Sequence, residues 1–189
     1  MKTLATGAAA LAAVLGLAGT AAAGDAQGRS WLWEAGVFTP VGAAAATPEA
    51  VSYNEELVPA GAPIVVTQRV GGDGMTVEVL VGGLVPGHTY GTHVHTGACG
   101  TEPTAAGPHY QHVAGQAEPG NEVWLDFTAN AFGWGKATVR QDWVFREGGA
   151  ASVVLHERAT SHGHGEHPPG DAGGRVACFT VPFIGEGGS

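Results

Sequence analysis

Beyond residue 62 the chain alternates apolar and polar positions with a period near two. The segment Ile64–Val70 is rich in β-branched residues, Gly71-Gly72-Asp73-Gly74 supplies turn chemistry, and Val77, Val79 and Val81 alternate with polar neighbours. That pattern predicts a β-hairpin. Thr89–His95 reads as a third strand, ended by Gly97. Glu122–Thr128 sets Val123, Leu125 and Phe127 on one face, and a turn at Ala131–Gly135 returns the chain through Lys136–Phe145. Ser152–His156 and Arg175–Phe183 are further short apolar runs. About eight strands at this spacing, with no helical period, predict an all-β antiparallel sandwich or barrel. Two long loops, Thr96–Asn121 and Glu157–Gly174, interrupt the pattern. Loops of that length in a compact domain usually carry function.

The first residues follow another pattern. Lys2 precedes an Ala/Leu-rich run from Ala8 to Ala18, and Ala21-Ala22-Ala23 offers an A-x-A cleavage site. A secretory signal over residues 1–23 is expected, in preference to a membrane span, because the run is weakly apolar and lacks a basic flank. Residues 24–60 are rich in Gly and Ala, with isolated Trp31, Trp33 and Phe38, and read as a loose N-terminal extension with room for one strand. Residues 61–189 are expected to form the folded domain.

Composition narrows the reading. The 189 residues include 32 Gly and 11 Pro, which excludes a helix bundle. A hydrophobic share of 44% with only 13% charged residues excludes general disorder. Eight basic residues against 17 acidic give a net charge of −9, which argues against nucleic acid and anionic membrane surfaces as partners. Once the signal is removed, no membrane partner is expected. The two cysteines, Cys99 and Cys178, read as one disulfide in an exported protein. Nine His against two Lys point to a metal.

The histidines sort into a candidate site. His93 and His95 flank Val94; on a strand their side chains share one face while Val94 faces the core. His109 lies in the rigid turn Gly107-Pro108-His109-Tyr110, and His156 ends an apolar strand. An all-imidazole set suits Cu(II), but imidazole also suits zinc, so ligand type alone leaves the metal open.

These residues resemble the Cu/Zn superoxide dismutase family. Gly91-Thr92-His93-Val94-His95 resembles the family's G-x-H-x-H copper strand, and Ala106-Gly107-Pro108-His109-Tyr110 its A-G-P-H-F segment. Ser152–Glu157 resembles the strand bearing the last copper ligand, and Gly170–Cys178 the closing G-N-A-G-x-R-x-A-C. The matches run in order over residues 62–183. The resemblance implies a Greek-key β-sandwich. It implies copper bound by His93, His95 and His156, with His109 as the fourth, bridging ligand. It also implies a Cys99–Cys178 disulfide tying the long loop to the last strand. Superoxide is then the substrate, O2 and H2O2 the products, with Arg175 receiving the anion and His109 carrying a proton.

One part of the family pattern is missing. The segment that normally carries a zinc histidine and a zinc aspartate reads Glu122-Val123-Trp124-Leu125, with Asp126 one position off. Downstream of His109 this loop holds only His112. The chain therefore resembles a copper-only member, and a normal zinc site is not expected; a makeshift one would draw on His112 with Glu118 or Glu122. Without zinc, another group must hold the second nitrogen of His109. Glu118, Glu122, Glu166 and Asp171 are the candidates. Arg158 is a candidate second cation for substrate capture. His162, His164 and His167 in the second long loop read either as a copper-capture strand or as a solvated loop. A non-enzymatic copper-binding or storage protein on the same fold is the alternative. Oligomeric state stays open, a homodimer included.

Overall fold

The computed structural model describes residues 21–24, 29–43 and 49–186. Its strands, in chain order, are β1 (Ala21–Gly24), β2 (Ser30–Val37), β3 (Thr39–Pro40), β4 (Ala50–Ser52), β5 (Pro63–Gly71), β6 (Gly74–Val81), β7 (Thr89–Tyr90), β8 (Thr92–His95), β9 (Phe127–Thr128), β10 (Gly135–Gln141), β11 (Ser152–His156) and β12 (Arg175–Thr180). Two short 3-10 turns, Val41–Ala43 and Pro103–Ala106, are the helical elements among the described residues.

Alternation builds two facing sheets. The first has the order β1-β2-β5-β6-β10, and every neighbouring pair is antiparallel. In β5 and β6, Ile64, Val66, Gln68, Met75, Val77, Val79 and Val81 are buried, while the residues that alternate with them are not. The second sheet has the order β3-β4-β12-β11-β8; its pairs are antiparallel except β3 with β4. The inner faces meet in one core that joins Leu32, Ile64, Val77 and Val79 to Val94, Leu155, Ala177 and Phe179. The antiparallel β-sandwich and the Cys99–Cys178 disulfide are as expected. The disulfide, with Cα atoms 5.7 Å apart, sits in a smaller cluster with Val51, Ala106 and Val154.

Three elements differ from the reading of the sequence. Thr89–His95 divides into β7 and β8 at Gly91, whose N–H donates to the Arg158 carbonyl at 2.7 Å. A Cβ on Gly91 would come within 2.6 Å of Ala172 and of that carbonyl, so the loop is pressed onto bare backbone there. Within Glu122–Thr128 only the last two residues form a ladder strand, β9. The rest lies along β8 through Leu125 N–H to the Thr92 carbonyl (2.7 Å) and one bridge, His93 with Trp124. Val123, Leu125 and Phe127 are buried as their spacing suggests, but Glu122 and Trp124 are buried too. Third, the expected loose extension contributes three strands. β2 pairs with β5 over eight positions, from Ser30↔Val70 to Val37↔Pro63, and β4 pairs with β12. The expected signal lies outside the described residues except for Ala21–Ala23, which pair with β2 in β1.

Candidate metal centre

Two strands and one turn deliver the four histidines. On β8, Val94 enters the core while His93 and His95 point to the other face, both fully buried. β11 runs antiparallel to β8 with Val154 opposite His93, and a register shift after Leu155 releases His156 beside Arg175 of β12. His109 arrives from the first long loop through an isolated bridge with His95, reinforced by Tyr110 N–H donating to the Val94 carbonyl at 2.8 Å. Gly107 makes that turn feasible. Its φ is +68°, and a Cβ there would come within 2.6 Å of the Thr96 hydroxyl, so only glycine fits. One candidate ligand atom from each of His93, His95, His109 and His156 lies within 4.8 Å of the others, and this is the one such cluster of potential metal ligands among the described residues.

The outer nitrogen of each ring has an acceptor. His95 Nδ1 faces the Gly107 carbonyl at 2.9 Å, and His156 Nδ1 the Gly173 carbonyl at 3.2 Å. His109 Nδ1 faces Glu122 Oε2 at 2.9 Å. His93 Nε2 faces the Thr160 hydroxyl at 2.6 Å, and that hydroxyl donates to Asp126 Oδ1 at 2.7 Å, so its oxygen accepts from the ring. Carbonyls and carboxylates only accept, so each outer nitrogen carries the hydrogen and each inner nitrogen presents a lone pair. The inner atoms are His93 Nδ1 and the Nε2 atoms of His95, His109 and His156. His93 Nδ1 and His109 Nε2 stand 2.9 Å apart, and the His95 and His156 Nε2 atoms 3.4 Å apart. Converging lone pairs on neutral imidazoles suit a cation, which meets the chemical requirement for a bound metal.

Electrostatics keeps the rings of His93, His95 and His156 neutral. Burial pushes His95 down to about 2 and His156 down to about 4, and lowers His93 well below the usual histidine value, with the neighbouring imidazoles adding to each shift. Glu122 is the opposite case. Burial favours its protonated form, but hydrogen bonds from His109, Gln111 and Trp124 outweigh that and hold it below the ordinary carboxylate value. Gln111 donates to Oε1 and Trp124 Nε1 to Oε2, each at 2.7 Å.

Of the four candidates for the second nitrogen of His109, Glu122 is the one that meets it. Asp171 binds Arg158 at 2.9 Å and His167 at 3.0 Å, and Glu118 and Glu166 are exposed. His112 stacks on Trp143, with ring centroids 4.7 Å apart at 9°, and does not join the cluster. Leu125, at the family's zinc-aspartate position, is buried in the core. The residues that sequence reasoning missed are Thr160 and Asp126. In the sequence Asp126 stands out only as one position off the family's zinc aspartate; in the fold its two oxygens hold the Thr160 hydroxyl and N–H, each at 2.7 Å.

Arg175 opens β12 and donates to the Pro103 carbonyl at 2.7 Å and the Gly107 carbonyl at 2.6 Å. The Gly107 oxygen thus links the guanidinium to His95. Arg158, the candidate second cation, sits between Asp171 and Glu157, the latter at 3.6 Å, so its charge is matched locally. His88 hydrogen-bonds the Glu157 carbonyl at 2.9 Å, away from the cluster. His162 sits edge-on to Trp124 at 5.3 Å, and His162, His164 and His167 make no shared ligand set among the described residues.

The profile of the copper/zinc superoxide dismutase family matches residues 61–181, and the chain belongs to that family. Among solved structures, the Cu/Zn superoxide dismutase from Brucella abortus shares 22% identity, covering 70% of this chain and 96% of its own, with a TM-score of 0.50. A SOD-like protein from Bacillus subtilis shares 16% identity over 70% of this chain and 97% of its own, with a TM-score of 0.48. No curated protein matches the chain.

Proposed function

We propose that the protein is an exported, copper-dependent superoxide dismutase that works without a zinc ion. The observation that carries this reading is the set of four inner nitrogens left with free lone pairs because each ring's hydrogen is committed to an acceptor on its outer side. His93, His95, His109 and His156 would hold the copper, which when bound supplies one-electron exchange with superoxide. Two superoxide anions and two protons then yield one O2 and one H2O2.

The chain's own residues account for capture and proton handling. A net charge of −9 repels the anion at long range, but screening beyond about 8 Å at physiological salt confines that penalty. Arg175, beside the ligand turn, is the cation that draws the substrate in. His109 keeps its Nδ1–H on Glu122, so proton uptake and release fall to Nε2. Glu122 thereby does for the ring part of what zinc does elsewhere in the family: it fixes the ring's orientation and holds its second nitrogen.

The absence of a shared ligand set among His162, His164 and His167, within the described residues, favours the enzyme over a multi-site storage protein. The test is reconstitution of zinc-stripped protein with copper alone, followed by metal quantification and a superoxide-loss assay. One copper per chain with turnover supports the proposal. Copper bound without turnover, or turnover only after zinc is added, overturns it.

A further inference from the structure

Outside the metal centre the basic residues concentrate in one place. Seven Lys and Arg residues follow Lys2 in the chain, and three of them, Arg29, Arg69 and Arg140, line a cavity of about 670 Å³ at one end of the first sheet. That volume lies within the range of small-ligand sites. The cavity belongs to the first sheet, whereas the four histidines come from the second sheet and its loops.

Strand register explains the arrangement. Trp31 of β2 pairs with Arg69 of β5, Arg69 with Thr76 of β6, and Thr76 with Arg140 of β10. These four residues form one row across four strands, on the face opposite the buried Leu32, Gln68, Met75 and Val77. Arg69 and Arg140 are two strands apart, so their Cα atoms are about 10 Å from each other. Two guanidinium groups at that spacing can hold one anionic group between them or two on the same ligand. Beside them Trp31 leaves 45% of its surface in water, a flat apolar face at the end of a cationic row. The acid lining the cavity is Asp73, 92% exposed and 3.8 Å from Arg140, an ion pair too solvated to neutralise the patch.

An anion next to a ring-sized apolar face is what this row fits. Thr76 and Ser30, which also line the cavity, add hydroxyls suited to polyhydroxylated ligands. The net charge of −9 works against long polyanions and restricts the ligand to a short one. We propose that this cleft binds a short anionic saccharide, with Arg69 and Arg140 on its sulfate or carboxylate groups and Trp31 against a sugar ring. The proposal stands independently of the metal chemistry.

The test is calorimetric titration of the full chain at low salt with a heparin-derived tetrasaccharide. Neutral cellotetraose, inorganic sulfate and a single-stranded tetranucleotide serve as comparison ligands. Saturable binding of the sulfated tetrasaccharide alone is expected. Arg69→Ser with Arg140→Ser should raise its Kd at least about tenfold, and Trp31→Ala should weaken it as well, with the thermal midpoint unchanged. The single Arg69→Ser variant serves if the double variant does not fold. No saturable binding, equal affinity for inorganic sulfate, tighter binding of the tetranucleotide, or indifference to both the arginine and the tryptophan changes would each overturn the proposal.

Discussion

At the scale of single residues, the centre is set by hydrogen-bond direction. A histidine ring can present either nitrogen, and here four separate acceptors choose for it: two loop carbonyls, Glu122, and the Thr160 hydroxyl polarised by Asp126. Glu122 and Thr160 act through His109 and His93 and are positioning residues. Glu122→Gln keeps the shape but removes the charge from the acceptor that holds His109 Nδ1–H. Thr160→Val removes the acceptor that fixes the His93 tautomer. Partners of this kind typically contribute roughly 10- to 100-fold in metal affinity or activity. The two variants should divide that effect. Glu122→Gln is expected to retain copper and lose turnover, with a shifted pH profile, and Thr160→Val to lose copper affinity itself. Copper titration and superoxide assays on both check this; equal losses in both properties from either change would contradict the division of roles.

At the scale of elements, the second sheet and the turn at Gly107 hold the rings in water-poor surroundings, and this links metal-free stability to pH. His95 and His156 carry depressed values in the fold, about 2 and about 4, against the ordinary 6.5. Below about pH 6.5 the unfolded chain binds protons at these rings that the folded chain does not yet accept, so acidification favours unfolding. Metal-free protein should lose thermal stability as pH falls from about 7.5 to about 5, and His156→Gln should flatten that dependence. A Tm series by calorimetry tests it; a Tm that rises on acidification would contradict it. Legibility followed contact range. Ser152–His156 and the β5–β6 hairpin were readable because their alternation is local. So was the cluster of His93, His95, His109 and His156, because the motifs around it name each residue. The sheet role of residues 30–37 was hidden because Trp31 and Trp33 face solvent, so the aromatics misreport which side is buried. For the partner of His109 the sequence offers four carboxylates and no means of choosing among them. Glu122 reaches the ring only because its loop folds back on β8.

At the scale of the whole molecule, an acidic chain presents its cations in a few places: Arg175 at the metal centre and three arginines on the opposite sheet. The proposed export adds a definite expectation. Cleavage after Ala23 removes most of β1 and leaves β2 at the edge of the first sheet. Protein recovered outside the cytoplasm should therefore begin at Gly24, read by N-terminal sequencing, whereas an intact Met1 terminus there would contradict the cleavage. The most direct test of the central claim is electron paramagnetic resonance of the zinc-free protein loaded with one equivalent of Cu(II). Nitrogen superhyperfine structure from four imidazoles is the predicted result, reduced by one nitrogen in each of His93→Ala, His95→Ala, His109→Ala and His156→Ala. A spectrum with oxygen donors in place of any of these nitrogens, or one unchanged by those substitutions, would contradict it.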